Sequence, residues 1–597
     1  KAYAAKTFAK KGQAIIERNY NAIDGGGDLL VEVPVKPEWA LLQDEAPVVD
    51  MSRPEFVREI ADPINALKGD SLPLSVFKKY TDSHMPQGTA AYEKRGVATD
   101  VPHWTPENCI QCNQCAFVCP HAAIRPFLAT AEEEANAPEG SKFLPAVGFK
   151  EHKYSLVISP MDCTGCGVCI TVCPGKKANP RDPECKPTKA LAPQTIQAAI
   201  EANGPAVCDY FYNKVSYKGK LAGTNNVKNA QFSKPLFEFS GACAGCGETP
   251  YVKAVSQLFG ERMVVANATG CTSIYSGSFP ATPYTTNELG YGPAWANSLF
   301  EDNAEFGFGM QTAAETMRDR LQTVMVNNYE HMTEEQKALC EEWIVNRKNG
   351  EKTLELKPLI EATFGAIDTP WAKEIMSLKQ FIVKRSQWII GGDGWAYDIG
   401  YGGLDHVIAN QLDVNILVVD TEVYSNTGGQ SSKSARHGSI AKFTASGKPG
   451  KKKDLAAIAM SYGHVYVATI CHGASPAQVI KALKEAEAYD GPSIIIAYSP
   501  CIAHNIKGGL YNAQLEAKLA TECGYFPLFR YNPDLALEGK NPFQLDSKEP
   551  NWDRYNEFLM QEGRYAQLKA LNPAEAEALL EANLKDAQRR YRYYQRM

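Results

Sequence analysis

The cysteines of this 597-residue chain include two runs that share one spacing. Both have the pattern C-x2-C-x2-C-x3-C-P, formed by Cys109, Cys112, Cys115, Cys119 and Pro120, then by Cys163, Cys166, Cys169, Cys173 and Pro174. Thiolates are soft ligands that suit iron–sulfur centres or zinc. The duplicated pattern therefore predicts two metal centres.

Three cysteines at this spacing can hold three corners of an iron–sulfur cubane, while the fourth, before proline, ligates the other cluster. We therefore predict two [4Fe–4S] clusters with crossed ligand sets: Cys109, Cys112, Cys115 and Cys173 for one, and Cys163, Cys166, Cys169 and Cys119 for the other. Two structural zinc sites are the alternative, although zinc typically needs only two C-x2-C pairs per site. The stretch between the motifs, 120–162, is longer than a minimal ferredoxin needs and predicts a surface insertion.

A third group of cysteines is spread along the chain. Cys243 and Cys246 form a C-x2-C pair, Cys271 follows one strand-like apolar run, and Cys501 follows another. If both runs are parallel strands of one sheet, their carboxyl ends bring Cys271 and Cys501 to the same edge. Four thiolates there could hold a third cluster; a structural zinc, or buried thiols acting as small apolar side chains, would explain the same residues.

A glycine-rich turn, Gly391–Gly394, follows the strand-like run QWII and precedes a helix pattern. Glycines allow a tight turn, and a helix N-terminus offers free N–H groups to a phosphate. Asp393 would supply an oxygen ligand for Mg2+ bridging a diphosphate. Further along, Asn426 lies in the loop DTEVYSNTGGQ; a GDG turn followed by such a loop is typical of thiamine diphosphate sites. An ordinary strand–turn–helix is the alternative.

The elements that would position these residues alternate beyond about residue 216. Strand-like runs occur at Arg262–Ala268, Gln387–Gly391, Val414–Asp420, Val465–Ile470 and Ser493–Tyr498, and helix patterns at Tyr251–Gly260, Asn303–Val326 and Pro476–Ala488. This alternation predicts an α/β fold with a doubly wound, mostly parallel sheet. The Cys-rich region before it predicts an α+β bacterial ferredoxin-like 2[4Fe–4S] domain.

Four segments are expected. They are 1–57, the tail of a preceding domain and a linker; 58–98, a small helical connecting segment; 99–215, the ferredoxin-like domain; and 216–597, a thiamine-diphosphate-binding domain with a proximal [4Fe–4S] cluster and a C-terminal helical extension. The chain lacks an initiator Met and begins in a helix pattern, which predicts a processed chain or a piece of a longer one. The basic, aromatic Asp586–Met597 predicts a solvated or subunit-facing helix.

Composition excludes several classes of protein. Apolar residues make up 44%, charged residues 22%, and the net charge is −6, values near the average for soluble globular domains. They give no general reason to expect nucleic acid or an anionic membrane as partner. No apolar run approaches the roughly 20 residues of a membrane span, and the N-terminus has no secretory signal pattern. We therefore predict a cytoplasmic protein.

Together these parts resemble the C-terminal half of the pyruvate:ferredoxin (flavodoxin) oxidoreductases, or pyruvate synthases. Besides the duplicated cysteine motif, the resemblance rests on GACAGCGETPY (241–251), ATGCTSIYSGSFPATPY (268–284), GGDGWAYDIGYGGLDHV (391–407) and DTEVYSNTGGQSSKS (420–434). It implies an oxidoreductase that converts pyruvate and coenzyme A to acetyl-CoA and CO2, reversibly. Two electrons would pass through three [4Fe–4S] clusters to ferredoxin or flavodoxin.

The resemblance also implies roles for individual residues. Mg2+ would be ligated by Asp393, the Thr421 hydroxyl and the Val423 carbonyl. Thiamine diphosphate would contact Glu248, Cys271, Gly392, Asp393, Gly394, Trp395, Thr421, Glu422, Val423, Tyr424, Ser425 and Asn426. The cluster nearest to it would be held by Cys243, Cys246, Cys271 and Cys501, and Asn426 would be catalytic, beside the thiazolium and substrate.

The resemblance leaves part of the expected site outside this chain. In this family an N-terminal domain supplies the Glu at the pyrimidine ring and the residues that hold the substrate, and residues 1–98 are too short to be that domain. Full activity would then need the N-terminal half of the same enzyme, in a homodimer. Another 2-oxoacid:ferredoxin oxidoreductase, or an iron–sulfur electron-transfer subunit without its own chemistry, are the alternatives.

Overall fold

The computed structural model describes residues 1–9, 12–42, 50–175, 187–277 and 281–597. Its packing divides the chain into two units, Lys1–Pro54 and Glu55–Met597. The first unit contains the helices Ala2–Phe8 and Gln13–Gly25, neither of which has a buried residue. No helix among the described residues combines the length and apolarity needed to cross a bilayer.

The strands of the second unit form three sheets within the described residues. In chain order they are β1 (Asp100–Trp104), β2 (Ile124–Ala129), β3 (Leu144–Pro145), β4 (Lys153–Ile158), β5 (Leu191–Thr195), β6 (Met263–Asn267), β7 (Ala294–Asn297), β8 (Ser386–Gly392), β9 (Asn415–Asp420), β10 (Tyr466–Ile470), β11 (Ser493–Tyr498), β12 (Phe529–Tyr531) and β13 (Phe543–Leu545).

The α-helices of the second unit fall into two groups. Before β6 they are Asp62–Asn65, Gln114–Val118, Ala131–Ala135, Val168–Val172, Ile196–Glu201, Gly204–Asn213, Gly219–Ala222, Val227–Ala230 and Thr249–Phe259. After β6 they are Cys271–Gly277, Asn303–Asn327, Glu334–Val345, Gly350–Gly365, Pro370–Ser377, Tyr401–Ala409, Leu455–Met460, Pro476–Ala488, Ala513–Glu522, Asp534–Leu537, Tyr555–Gln561, Gly563–Leu571 and Pro573–Gln595.

The large sheet has eight strands in the order β13-β12-β10-β11-β9-β8-β6-β7. Strands β6 to β11 pair in parallel, and β12 and β13 extend the sheet antiparallel. Along β9, Ile416 and Val418 belong to one apolar core, while Leu417 and Val419 belong to another. Because both faces are covered, the strand is apolar throughout, and the predicted doubly wound α/β fold is confirmed.

The ferredoxin-like domain is built on two smaller sheets. Strand β2 pairs antiparallel with β4, and β1 pairs with β5. The surface insertion predicted over 120–162 is confined to its middle: β2 and most of β4 are buried, whereas 131–153 contains one buried residue, Ala146. Its Phe127 packs against Phe211 of the helix Gly204–Asn213, with 5.3 Å between ring centroids. The α+β expectation for this domain is confirmed.

The C-terminal helix Pro573–Gln595 exposes arginines, as predicted, but buries two of its aromatic side chains. Tyr591 and Tyr594 are only 6% and 3% exposed. Tyr594 Oη lies 2.8 Å from the Asp454 carboxylate, and its ring packs on Phe529 of β12. The aromatic side chains therefore anchor the helix to the sheet edge, while the Arg589 side chain remains 64% exposed.

A helical layer lies between β7 and β8 in the chain. The helices Asn303–Asn327, Glu334–Val345, Gly350–Gly365 and Pro370–Ser377 share an apolar core that includes Trp343 and Ile360, both fully buried. The first of these helices also contacts β6 and β8. The layer thereby braces the strands whose carboxyl ends carry the candidate site.

Candidate cofactor and metal site

Four neighbouring parallel strands of the large sheet end at one edge. Cys271 comes after β6, Asp393 follows β8, Thr421 follows β9, and Cys501 comes after β11. The carboxyl ends of parallel strands are where α/β sheets bind ligands. The sheet thus gathers candidate residues that lie far apart in the sequence.

Asp393 and Thr421 bring three oxygens into one place. Thr421 Oγ1 lies 2.9 Å from Asp393 Oδ1 and 3.0 Å from the Val423 carbonyl oxygen. Bonds of about 2.1 Å in an octahedral Mg2+ site separate neighbouring ligand oxygens by about 3.0 Å. These residues therefore fit Mg2+, with the other positions open to diphosphate oxygens and water.

The Asp393 carboxylate is buried and lies near a second carboxylate, that of Asp420. It is 1% exposed and accepts hydrogen bonds from Thr421 and from Ser432 Oγ, the latter at 2.5 Å. Burial and the neighbouring Asp420 nevertheless raise the pKa of Asp393 well above its ordinary value. A divalent cation at this point would stabilise the ionised form.

The glycine turn at the end of β8 has open space beside Gly392 but not beside Gly394. A Cβ on Gly394 would lie 2.6 Å from the Tyr424 ring, whereas one on Gly392 would lie 4.0 Å from the Val419 carbonyl oxygen. The Trp395 indole is fully buried. The turn can therefore offer its backbone to a diphosphate, and Trp395 could contribute through its backbone N–H.

Glu422 is placed differently from the rest of its loop. Its carboxylate is buried and is bound by Arg436 at 3.1 Å, Lys452 at 3.0 Å and Arg564 at 2.9 Å. Burial alone would raise the pKa of Glu422, but these cations hold it well below its usual range. Its φ of 57° turns the chain through the left-handed region. The side chain is thus committed to an internal ion network, and the Glu422 backbone N–H donates to Asp420 Oδ1 at 3.1 Å, so the contact to thiamine diphosphate that the resemblance implies would fall to its backbone carbonyl.

The rest of the loop connects the oxygen site to a cysteine. Ser425 Oγ lies 3.0 Å from Thr421 Oγ1 and 3.3 Å from Cys501 Sγ. The Tyr424 ring packs against the glycine turn, and Asn426 is exposed. Ser425 is therefore a direct bridge between the two candidate centres.

The four dispersed cysteines lie close enough to affect one another. Burial raises the pKa of the Cys271 thiol, and Glu248, Cys501, Cys246 and Cys243 raise it further, in that order. Glu248 is itself 5% exposed, its Oε2 lacks a hydrogen-bond partner among the described residues, and burial raises its pKa to about 7. A buried carboxyl oxygen without a hydrogen-bond partner is costly, and Glu248 Oε2 therefore fits a cofactor contact at this point.

The eight cysteines of the duplicated motif line two separate cavities. One cavity is lined by Cys119, Cys163, Cys166 and Cys169, and the other by Cys109, Cys112, Cys115 and Cys173. These are the crossed sets that the motif predicts. That each set binds a cluster stays a prediction.

All three cysteine sets share one backbone contact. In each case the N–H two residues after a cysteine donates to its sulfur at 3.4 Å: Gln111 to Cys109, Gly165 to Cys163, Glu248 to Cys246 and Ala503 to Cys501. Such hydrogen bonds stabilise thiolates and tune cluster potentials. Within the described ranges, no three Cys, His, Asp or Glu side chains converge on a point suited to a single metal ion; a cubane instead has its sulfurs spread around it.

Two residues next to the site have no counterpart in the sequence analysis. His504 Nε2 donates to the Thr421 carbonyl oxygen at 2.6 Å, and its Nδ1 lies 3.3 Å from Glu562. Lys452 Nζ lies 2.5 Å from Asp420. Since buried charges must be paired, Asp420 and Glu422 in an apolar stretch signal that cations lie nearby, but they do not say which.

Three domain families match the chain. Residues 94–177 match a 4Fe-4S dicluster domain, 375–497 match the C-terminal TPP binding domain of thiamine pyrophosphate enzymes, and 43–98 match EKR, a domain of unknown function. The first two include the duplicated cysteine motif and the loops around Asp393 and Thr421. The chain is thus of the iron–sulfur, thiamine-diphosphate-binding class.

Comparison with individual proteins along nearly the whole chain identifies more specific relatives within this class. A pyruvate:ferredoxin oxidoreductase from Moorella thermoacetica is 49% identical over 99% of this chain and 50% of its own length. A pyruvate-flavodoxin oxidoreductase from Klebsiella pneumoniae is 48% identical, with the same coverage. An NADP+-dependent mitochondrial pyruvate dehydrogenase from Euglena gracilis is 44% identical over 99% of this chain and 32% of its own length.

The chain is similar along 99% of its length to pyruvate:ferredoxin and pyruvate-flavodoxin oxidoreductases, which confirms the resemblance seen in its motifs. It spans about half the length of the curated relatives it matches.

Proposed function

We propose that this chain is the C-terminal half of a pyruvate:ferredoxin or pyruvate:flavodoxin oxidoreductase. The complete enzyme would convert pyruvate and coenzyme A to acetyl-CoA and CO2 and pass two electrons to ferredoxin or flavodoxin. The names of the relatives support pyruvate and both acceptors. The proposal also includes that this chain needs the N-terminal half of the same enzyme for full activity. The complete enzyme would form a homodimer in the cytoplasm.

One observation carries the proposal. The Ser425 hydroxyl is 3.0 Å from Thr421 Oγ1 and 3.3 Å from Cys501 Sγ, so one side chain touches both candidate centres. An organic electron source and its first acceptor would then be immediate neighbours. A subunit that only relays electrons would have no need of the oxygen site.

The residues of this chain would hold the cofactors and shield them. When bound, thiamine diphosphate supplies the electron sink for decarboxylation. Asp393, the Thr421 hydroxyl and the Val423 carbonyl would hold Mg2+, and the glycine turn would receive the diphosphate. Asn426, exposed on the same loop, would contact the substrate. The three [4Fe–4S] clusters would use the three cysteine sets described above.

Anaerobic metal and cofactor analysis of the complete enzyme tests this assignment. We expect about twelve irons per chain, one thiamine diphosphate, and Mg2+ that chelation removes together with thiamine. Asp393→Asn should weaken thiamine diphosphate binding by about 100-fold without loss of iron. Asp398→Asn is the matched control, because Asp398 accepts from the Lys433 N–H at 2.9 Å and is part of no candidate ligand set.

Two results would redirect the proposal. Iron without thiamine would identify an electron-transfer subunit. Faster CO2 release from 2-oxoglutarate than from pyruvate would identify another 2-oxoacid oxidoreductase. Equal loss of thiamine in Asp393→Asn and Asp398→Asn would show that the Asp393 oxygens are not the Mg2+ site.

A further inference from the structure

One buried side chain joins the second ferredoxin-type motif to the third cysteine set. His121 Nε2 donates to the carbonyl oxygen of Ala242, the residue before Cys243, at 3.0 Å. His121 Nδ1 lies 3.3 Å from Oγ1 of Thr164, the residue after Cys163. Because a carbonyl can only accept, Nε2 carries the hydrogen and Nδ1 accepts from the threonine.

The bridge is held firmly. His121 is 3% exposed, and its own carbonyl accepts from the Phe239 N–H at 2.9 Å. An imidazole has a donor and an acceptor at fixed separation on a rigid ring. It can therefore join two loops at one distance, which a longer flexible side chain would not do.

A backbone contact independently brings the same two loops together. Burial raises the pKa of Cys166 to about 11, and a hydrogen bond from the Gly245 backbone is among the contacts that lower it. Gly245 has a φ of +86°, and a Cβ there would lie 2.7 Å from Leu510 Cβ. Glycine at this position lets the Cys243–Cys246 loop pass close to Leu510 while its backbone reaches Cys166.

We propose that His121 is a positioning residue that fixes the spacing between the centre of the third cysteine set and that of the Cys163 set. It thereby governs electron transfer between them. In each transfer one electron leaves a reduced [4Fe–4S] cluster and enters its oxidised neighbour, so that no bond breaks and no proton moves. The inference rests on the proposed function, because it needs both clusters.

The test compares His121→Leu and His121→Gln in the complete enzyme. Leucine removes both hydrogen bonds, whereas glutamine keeps an N–H near the position of Nε2. His464→Leu is the matched control, because His464 Nε2 also bonds a single carbonyl, that of Ile408, at 2.9 Å. Iron content, and the splitting that two reduced neighbouring clusters cause in each other's electron paramagnetic resonance signals, are measured after dithionite reduction without pyruvate.

We expect His121→Leu to keep its iron but to lose the splitting, and to pass electrons from the third set more slowly in rapid-freeze experiments. His121→Gln should recover most of the splitting and most of the transfer rate, and His464→Leu should match the unaltered enzyme. Unchanged splitting and rate in His121→Leu would overturn the proposal.

A loss of iron in His121→Leu would transfer the decision to Thr164→Val, which removes the 3.3 Å contact to His121 together with a side-chain hydrogen bond to Cys166. Thr164→Ser keeps the hydroxyl and is the matched control. Weaker splitting in Thr164→Val but not in Thr164→Ser supports the bridge, and unchanged splitting in Thr164→Val rejects it. If the unaltered enzyme lacks iron or thiamine, the proposed function fails instead, so the two failures are distinguishable.

Discussion

The two ferredoxin-type motifs share one backbone path but use different side chains to make it. In the first motif, Gln111 and Asn113 have φ values of 56° and 58°; in the second, Gly165 and Gly167 have 68° and 71°. Glycine adopts this left-handed region freely, whereas other residues pay roughly 1–2 kcal/mol. The first motif must therefore offset a strain that the second does not have.

The first motif offsets it with buried amide side chains. Gln111 bonds to the backbone of two residues near β3, and Asn113 bonds to one carbonyl and one phenol. These four hydrogen bonds, of 2.8 or 2.9 Å, involve Pro145, Val147, Lys228 and Tyr154. The motif is thus anchored within the region that contains most of its own cysteine set.

The second motif has glycines where the first has anchoring amide side chains, and other chain segments lie close to those glycines. A Cβ on Gly167 would lie 2.3 Å from the Tyr511 ring, and one on Gly165 would lie 3.1 Å from the Asp100 carbonyl oxygen. Thr171 in the following helix also bonds the Tyr511 carbonyl at 3.2 Å. The comparison teaches that the first motif is built for internal rigidity and the second for contact with the sheet region.

The largest effects should come from losing one cluster ligand in each motif. Cys166→Ala should prevent reduction of both ferredoxin-type centres by the third set, because Cys166 belongs to the set next to it. Cys112→Ala should leave the Cys163-set cluster reducible. Iron analysis combined with electron paramagnetic resonance after pyruvate addition checks this difference. Identical behaviour of the two variants would contradict electron transfer from the third set to the Cys163 set and from there to the Cys109 set.

A side chain at the crowded glycine should destabilise the second motif. Gly167→Val forces a β-branched residue into a left-handed conformation against Tyr511, at a cost of about 3 kcal/mol in free energy of unfolding. Anaerobic thermal unfolding measures this. Adding Tyr511→Ala should recover the part of the loss that is due to crowding, and no recovery would show that backbone strain alone is responsible.

Removing an anchor should destabilise the first motif less. Asn113→Ala keeps the strained φ and leaves the Lys228 carbonyl and the Tyr154 hydroxyl without their partner, which should cost about 2 kcal/mol. Asn113→Gly loses the same bonds but relieves the strain, so it should cost less. Denaturant unfolding under anaerobic conditions separates them, and glycine as the worse variant would refute the strain argument.

The smallest effects concern the lysines that cap the two motif helices. Lys253 Nζ donates to the Phe117 and Cys119 carbonyls at 3.0 and 3.1 Å and is 1% exposed. Lys189 Nζ makes the corresponding contacts to the second helix, including Ile170 at 2.5 Å, from an exposed position. Lys253→Met should cost about 1 kcal/mol and Lys189→Met about 0.3 kcal/mol in free energy of unfolding. Equal costs in unfolding experiments would show that burial does not strengthen the cap.

Much of this organisation was predictable from sequence. The apolar runs correctly place five central strands, within two residues at either end, since fully buried parallel strands are continuous apolar runs. The short strands β7, β12 and β13 carry too little pattern to be recognised. Strict spacing made the crossed cysteine sets predictable, and the glycines at 165 and 167 could have signalled the left-handed conformation at Gln111 and Asn113.

Other features depended on tertiary packing. The buried cations Lys452, Arg436 and Arg564 approach Glu422 from separate segments, and nothing local in the sequence pairs them. His121 likewise looks like one more histidine after a Cys-Pro pair. Only the meeting of two distant loops gives it a role.

The scattered origin of the third cysteine set has a consequence for biosynthesis. The two ferredoxin-type sets are complete once the ribosome has passed Cys173, but the third requires translation through Cys501 and assembly of β6, β8, β9 and β11. Such long-range assembly is intrinsically late. We expect iron to load onto nascent chains in that order, which pulse-labelling with radioactive iron on stalled ribosomes would measure. The centre that meets the organic cofactor would then be the last to be installed.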